Sequence, residues 1–226
     1  MNINEELSDK MENKKGISSF ESTNKSSKKS LPDWNKIYID MKVEDMPWYL
    51  PELDPDLKDA LHDADIHSGI FLDLGTGPGT QAIELSKLGF DVTGVDISNE
   101  AIKKASKLSH KVKFIQDDIL NSKIHQQFDY IFDRGCFHIL DEDKRSIYIS
   151  QVVKLLNKDG LLFLKCFSDK NSFTGFGPHH FSRKLIESLF DKQFNILQIK
   201  ESVYQSTSNQ QNKTLFIVMK KKIDNI

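Results

Sequence analysis

The chain has 226 residues, 38% of them hydrophobic, which is enough for one core and short for two independent domains. Its 31 Lys and Arg against 33 Asp and Glu give a formal charge of -2, so no surplus of cations is available for a phosphate backbone and nucleic acid is not an expected partner. No apolar run approaches the roughly 18 residues of a membrane span, no secretory leader pattern is seen, and Cys136 and Cys166 are too few for a disulfide framework; a cytoplasmic protein with reduced thiols and no membrane partner is expected.

Residues 1–30 are rich in Ser, Lys, Asn and Glu, with isolated apolar residues such as Leu7 and Phe20, and read as a disordered tail. Composition changes at Leu31, where Trp34, Tyr38, Met41, Met46, Trp48, Tyr49 and Leu50 crowd together, and the folded domain is predicted over 31–226. A helix follows Pro55. Next come a strand at 69–74, a helix at 80–88 ended by Gly89, a strand at 91–95 and a helix at 98–108 with Ser98 as its N-cap. Strands are predicted at 112–116 and 128–132. Ile149, Val152, Val153 and Leu156 recur at helical spacing, which predicts a helix closed by Gly160, and a strand at 161–167 follows. A helix near 182–190 and strands near 194–199 and 214–219 complete the chain. Strands apolar on both faces, separated by amphipathic helices, describe an α/β fold with a mostly parallel sheet covered on both sides. The polar loop at 206–213 has no room for a crossover helix, so the last two strands should run antiparallel.

The first strand runs into Asp73-Leu74-Gly75-Thr76-Gly77-Pro78-Gly79. In an open parallel sheet that turn meets ligand beyond the carboxyl ends of the strands, and glycines there let a ligand approach the main chain. Counting from Gly75, the dinucleotide fingerprint G-x-G-x-x-G requires a glycine where Thr80 stands. An early acid, Asp73, suits the zwitterion of a methionine better than a pyrophosphate. Asp96 ends the second strand about 20 residues past the first glycine, where a carboxylate accepts ribose hydroxyls. Asp117-Asp118-Ile119 after the third strand offers an acceptor and an apolar surface to an adenine. Glycines and aspartates also end strands simply to make turns, and it is their ordered combination that points to S-adenosyl-L-methionine.

From FLDLGTGPGTQAIELSKLGFDVTGVDIS through VKFIQDDIL the chain resembles the class I S-adenosylmethionine-dependent methyltransferases, over roughly residues 31–226. FDYIFDRGCFHIL, DKRSIYISQVVKLL and GPHHFS are similar to the thiopurine, thiol and halide methyltransferase group, with Cys136, Phe137 and His138 replacing smaller apolar residues after D-R-G. The resemblance implies a Rossmann-like seven-stranded sheet with helices on both faces and an antiparallel final strand. It also implies donor contacts from Gly75, Thr76, Gly77, Asp96, Ile97, Asp118 and Ile119, with Arg134, Trp34 and the Trp48 region around donor and acceptor. The implied acceptor is a small molecule, a thiol or other soft nucleophile; O- or N-methylation of a metabolite and a non-catalytic donor-binding module are the alternatives.

Arg134 is the candidate cation beside an acceptor thiolate; the competing reading pairs it with Asp133 or another carboxylate. His138 is a candidate general base or a packed histidine. His179 and His180 follow Gly177-Pro178 in a loop expected to overhang the same mouth. With Cys136 they lack any metal-ligand spacing, so no metal is expected, and Cys136 reads as a small buried residue. Phe173, Phe176, Phe181, Trp34 and Trp48 either wall an apolar acceptor pocket or fill core. Nicotinamide redox chemistry is disfavoured by Thr80. Deleting residues 1–30 should leave turnover with any acceptor of the full chain unchanged, and a large loss of rate would make the tail part of the site.

Overall fold

Strand β1, Ile70–Leu74, is buried along nearly its whole length, so both its faces need cover and helices must lie on each side. In the computed structural model, which describes residues 32–171, 177–207 and 211–223, that cover comes from helices alternating with strands. The residues from Asp33 to Ile226 form one compact unit; the tail expected at 1–30 and the aromatics Phe173 and Phe176 lie outside the described residues.

In chain order the elements are α1 Trp34–Asp40, α2 Pro55–Asp63, β1, α3 Thr80–Lys87, β2 Asp91–Asp96, α4 Asn99–Leu108, β3 Lys113–Gln116, β4 Phe128–Arg134, α5 Glu142–Leu155, β5 Leu156–Phe167, α6 Arg183–Phe190, β6 Phe194–Val203 and β7 Lys213–Lys221. They build one seven-stranded sheet in the order β3-β2-β1-β4-β5-β7-β6. β1, β2, β3, β4 and β5 pair in parallel, and β7 runs antiparallel to both β5 and β6. This is the Rossmann-like sheet with a reversed final strand that the sequence implies.

Two apolar layers hold the helices on. On one face Leu57 and Leu61 of α2 and Ala82 and Leu85 of α3 join Phe71, Phe163 and Phe216 of the sheet. On the other, Tyr148, Ile149 and Val152 of α5 and Ile186 and Phe190 of α6 join Leu72, Ile131 and Leu164. Each fully buried Leu, Ile, Val or Phe among them contributes about 1.5–3 kcal/mol.

Three elements depart from expectation. Gly160 does not close the α5 helix: the helix ends at Leu155, and Leu156 is already extended, with φ -82° and ψ 136°. Its pairing with Phe128 of β4 and burial in the core outweigh the helical spacing that assigned it to α5. β4 and β6 run further than their apolar runs, because the cross-strand pairs Asp133↔Leu164, Arg134↔Lys165 and Ser202↔Thr214 continue the ladders through polar residues.

Gly94, in the middle of β2, is a close-approach position. A Cβ there would sit 2.7 Å from the Thr76 hydroxyl and 2.8 Å from the Phe114 ring, both part of the packing beneath the loop after β1. Gly94→Ala should therefore cost about 1–3 kcal/mol through overpacking. Urea unfolding with an unchanged m-value checks this, and an unaltered midpoint would contradict it.

Candidate active site

The loop after β1 is built on left-handed backbone. Gly77 has φ +53°, and a Cβ on it would lie 2.6 Å from Tyr38 Oη; Gly79, which caps α3, has φ +82°, and a Cβ there would lie 2.7 Å from the Phe114 ring. Only glycine meets both demands. Asp73 turns beneath this loop instead of facing outward. Its Oδ2 accepts from Thr76 Oγ1 at 2.5 Å and from the Ala82 amide at 3.1 Å, and burial pushes its carboxyl up to about 6. Thr76 is buried, and its amide donates to Val95 O at 2.8 Å. These residues fasten the loop from inside, while Gly75 comes close to Cys136, whose Cβ would lie 3.1 Å from a Cβ on the glycine.

Asp96, at the end of β2, accepts from the Gly77 amide at 2.9 Å on Oδ2 and from the Ser98 amide at 2.8 Å on Oδ1. Burial raises its carboxyl above the ordinary range, and the two backbone N–H groups oppose that rise. A carboxylate oxygen carries more than one lone pair, so acceptor capacity remains. Ile97 beside it is 44% exposed, a large apolar side chain facing out from a strand end. Asp118 is partly spent on the Leu120 amide at 2.9 Å. Ile119 turns into the core, which leaves the outward apolar surface to Ile97.

The N-terminal segment roofs the loop. Asn35 of α1 accepts from Ser98 Oγ at 2.9 Å and the Glu100 amide at 3.3 Å, and Lys104 of α4 donates to Met41 O at 3.0 Å. Trp34, half-buried, meets Trp48 edge-on at 5.9 Å. Trp48 Nε1 is buried beside the Tyr38 hydroxyl, which it stabilises by hydrogen bonding, and lies 3.9 Å from a Cβ placed on Gly77. Gln81 of α3 secures the next stretch, donating to Leu50 O and Glu52 O and accepting from the Asp54 amide at 2.8 Å. Trp48, Tyr49, Arg134 and Tyr204 close over the loop, leaving a cavity of about 30 Å³, room for one or two waters.

Arg134 is committed. Its Nε donates to Asp54 Oδ2 at 2.8 Å, one terminal nitrogen donates to Trp48 O at 2.9 Å and Tyr204 Oη at 3.3 Å, and the other donates to Gln205 O. The guanidinium lies 4.2 Å from the centre of the Tyr204 ring. Its carboxylate partner is Asp54, not the adjacent Asp133. Lys165 of β5, fully buried, donates to both oxygens of Asp54 at 3.0 and 2.8 Å and to Gln205 Oε1, and stands 2.8 Å from Asp56 Oδ2. Asp56 also receives Ser202 Oγ and Lys200. Sequence inspection missed Asp54, Gln81, Lys165 and Tyr204. The available signal was Lys165 itself, a charge inside the otherwise apolar run 161–167, which must be paired if buried.

Asp133 has a different task. It accepts from the amides of Gly135, Cys136 and Phe137 and from Tyr148 Oη at 2.6 Å, fixing the turn after β4, and burial pushes its carboxyl up to about 6. His138 in that turn is 5% exposed, its ring lies 4.6 Å from Phe167, and Nδ1 has no hydrogen-bond partner among the described residues. His179 approaches through its amide, which donates to His138 O at 2.6 Å, and its own ring faces Asp141 at 3.4 Å. His180 lies against Phe167 at 6.0 Å. Phe181 is core, packed on Phe137 at 5.1 Å and Phe190's cluster, so it walls no pocket. No group of three or more His, Cys, Asp or Glu suited to a metal occurs among the described residues, and among them no helix is long and apolar enough to cross a membrane.

A family profile described as a methyltransferase domain matches residues 71–160, the stretch from β1 into β5. An uncharacterised methyltransferase of Schizosaccharomyces pombe is 33% identical over 111 residues, 47% of this chain and 76% of that protein. Among solved structures, one from work on converting a disulfide bond into a thioacetal group in echinomycin biosynthesis is similar with a TM-score of 0.73 at 20% identity, covering 85% of this chain and 93% of that one. The 1,6-didemethyltoxoflavin-N1-methyltransferase of Burkholderia thailandensis, with its substrate and S-adenosylhomocysteine bound, is similar with a TM-score of 0.62 at 20% identity, covering 75% and 78% of the two chains.

The burial of His138 generates a pH prediction. Burial first, then Arg134, His180 and His179, push its imidazole from 6.5 down to about 3. A folded value below the unfolded one favours the neutral form, so the unfolded chain takes up the proton first and stability is lost as pH falls from 6.5 toward 3. The advantage of wild type over His138→Phe in unfolding free energy should shrink by about 1 kcal/mol per pH unit below pH 6. A difference that does not change with pH would contradict the assignment.

Proposed function

Since the chain belongs to the class I S-adenosylmethionine-dependent methyltransferases, we propose that it moves the donor's methyl group to a small-molecule acceptor by in-line displacement under the Trp48–Tyr204 roof. The observation that carries this reading is the convergence of three features at the carboxyl ends of β1 and β2: the left-handed glycine loop, the buried Asp96 carboxylate, and Ile97 exposed beside it. The residues fit the donor. Asp96 would accept ribose hydroxyls, Ile97 would lie against the adenine with Asp118 at its edge, and the Tyr38 hydroxyl and Trp48 indole N–H, side by side over Gly77, would lie near the methionine carboxylate. Trp34 would support that indole from behind.

When bound, the donor supplies a sulfonium methyl as electrophile. The chain's contribution is alignment and exclusion of water, and no enzyme nucleophile is required. Cys136 is unsuited to that role, since burial and neighbouring carboxylates hold its thiol well above the ordinary value. Arg134, tied to both roof segments, acts as a positioning residue. His138, with its imidazole near 3, stays neutral at working pH and offers hydrogen bonding rather than strong basicity. A thiol-directed version of this reading requires an uncommitted cation beside the methyl carbon, and Arg134, the candidate for it, is engaged by Asp54. The two structural neighbours come from sulfur and from nitrogen chemistry respectively, so the acceptor atom has to be argued from this chain's own side chains.

Calorimetry should give one-site binding of S-adenosylmethionine and no heat with NAD, and Asp96→Ala should weaken the donor by about 10- to 100-fold, the worth of hydrogen bonds to a charged group. Equal affinity in wild type and Asp96→Ala would move the ribose away from β2.

A further inference from the structure

We propose that the methyl acceptor is an uncharged nitrogen, an amine in its free-base form or an azole nitrogen, and not a thiolate or a halide ion. The inference deepens the methyl-transfer reading above and rests on it.

An anionic nucleophile has to be drawn into a water-poor site, which requires a cation with unspent charge and unspent donors near the reacting atoms. The two buried cations that reach the roof have neither, whereas Arg145 of α5, buried over the Phe181 ring, keeps an Nε without a partner among the described residues. Arg134 is bonded through Nε and both terminal nitrogens to Asp54, Trp48 O, Tyr204 Oη and Gln205 O. Lys165 is bonded to Asp54 and Gln205 and paired with Asp56. With Lys200, which pairs with Asp56 and Asp59, three cations share three carboxylates. What remains around the loop is negative: Asp73 beneath it, Asp96 at its side, Asp133 under the turn after β4, and Asp118 beyond β3.

Cys136 reports that field. It sits against Gly75, its Sγ 4.0 Å from a Cβ placed on the glycine, and its thiol is opposed by burial first and then by Asp133, Asp96 and Asp118. A second sulfur anion brought alongside would meet the same opposition. A neutral nitrogen meets the reverse. Its lone pair forms the new N–C bond while the C–S pair returns to sulfur as a neutral thioether, so one positive charge passes from sulfur to nitrogen and none is lost. An amine N–H proton is then released to water; an azole nitrogen without one keeps the charge. Carboxylates held in place before reaction stabilise that charge throughout. Trp48 and Tyr49 line the same cavity, aromatic neighbours that suit a developing ammonium.

The test is transfer of labelled methyl from S-adenosylmethionine by the full chain to a panel of benzylamine, N-methylbenzylamine, imidazole, pyridine, benzyl thiol, thiophenol, iodide, thiocyanate and catechol. Label should enter nitrogen acceptors at rates at least about 100-fold above the thiols and halide, and for the amines the rate should rise with pH up to the amine's own pKa. Thiol or halide labelling at equal or greater rate, or label in no nitrogen member while donor binds by calorimetry, overturns the inference and leaves donor binding standing. Absence of donor binding overturns the underlying reading instead. Asp54→Asn supplies an internal check, because a ratio of two rates in one sample is independent of how much of the protein is folded. Removing that negative charge beside Arg134 and Lys165 should raise the thiol-to-amine ratio by about tenfold, and an unchanged ratio contradicts the role given to the paired cations.

Discussion

One carboxylate, Asp54, organises the mouth of this sheet. It is fully buried, holds Arg134 of β4 and Lys165 of β5, and caps α2 by accepting the Asp56 amide at 3.0 Å. Each of these groups would be expensive to bury alone, and together they satisfy one another. Such a cluster contributes little net stability compared with an apolar core of the same volume, but losing one member costs about 3–5 kcal/mol because the others are left charged and unpaired. Its value lies in geometry. Through Arg134 it fixes Trp48 O on the N-terminal side and Gln205 O on the C-terminal side, so two segments far apart in sequence meet above the glycine loop.

The consequences reach the chemistry. The roof is stitched further by Thr207, whose amide donates to Tyr49 O at 3.1 Å, and it leaves little free volume over Gly77. The same pairing cancels the two cations nearest that place, while Asp73, Asp96 and Asp133 stay in position through hydrogen bonds to backbone amides and hydroxyls. Roof order and the negative electrostatic bias of the site thus share one cause, and a single side chain controls both.

Much of the fold was legible because local and global signals agree: apolar runs on both faces of the strands, Ser98 and Ser182 at helix starts, and the glycine turn after β1. Where they conflicted, tertiary pairing decided. Leu156 has helical spacing but completes a ladder with Phe128, and Asp133 and Arg134 look like a strand's end but continue one. In the site, Asp96 and Ile97 were visible from their place after β2, since position in an α/β unit fixes where such residues face. Arg134 was visible as a residue but not as a partner. Its mate Asp54 is 80 positions away, and no periodicity or motif spacing reports a contact of that range. Lys165 hid inside β5 for the same reason. Asp73 and Ile119 carried the right residue types for ligand contact, and only packing shows that each turns inward.

Native-state hydrogen exchange of wild type against Asp54→Asn tests most directly whether Asp54 joins the two roof segments. Amides at 48–56 and 204–207 should lose protection together, by the same factor, while β1 and β4 amides keep theirs. If the two segments exchange independently, or neither changes, Asp54 is a helix cap with charged neighbours and the roof is held by something else.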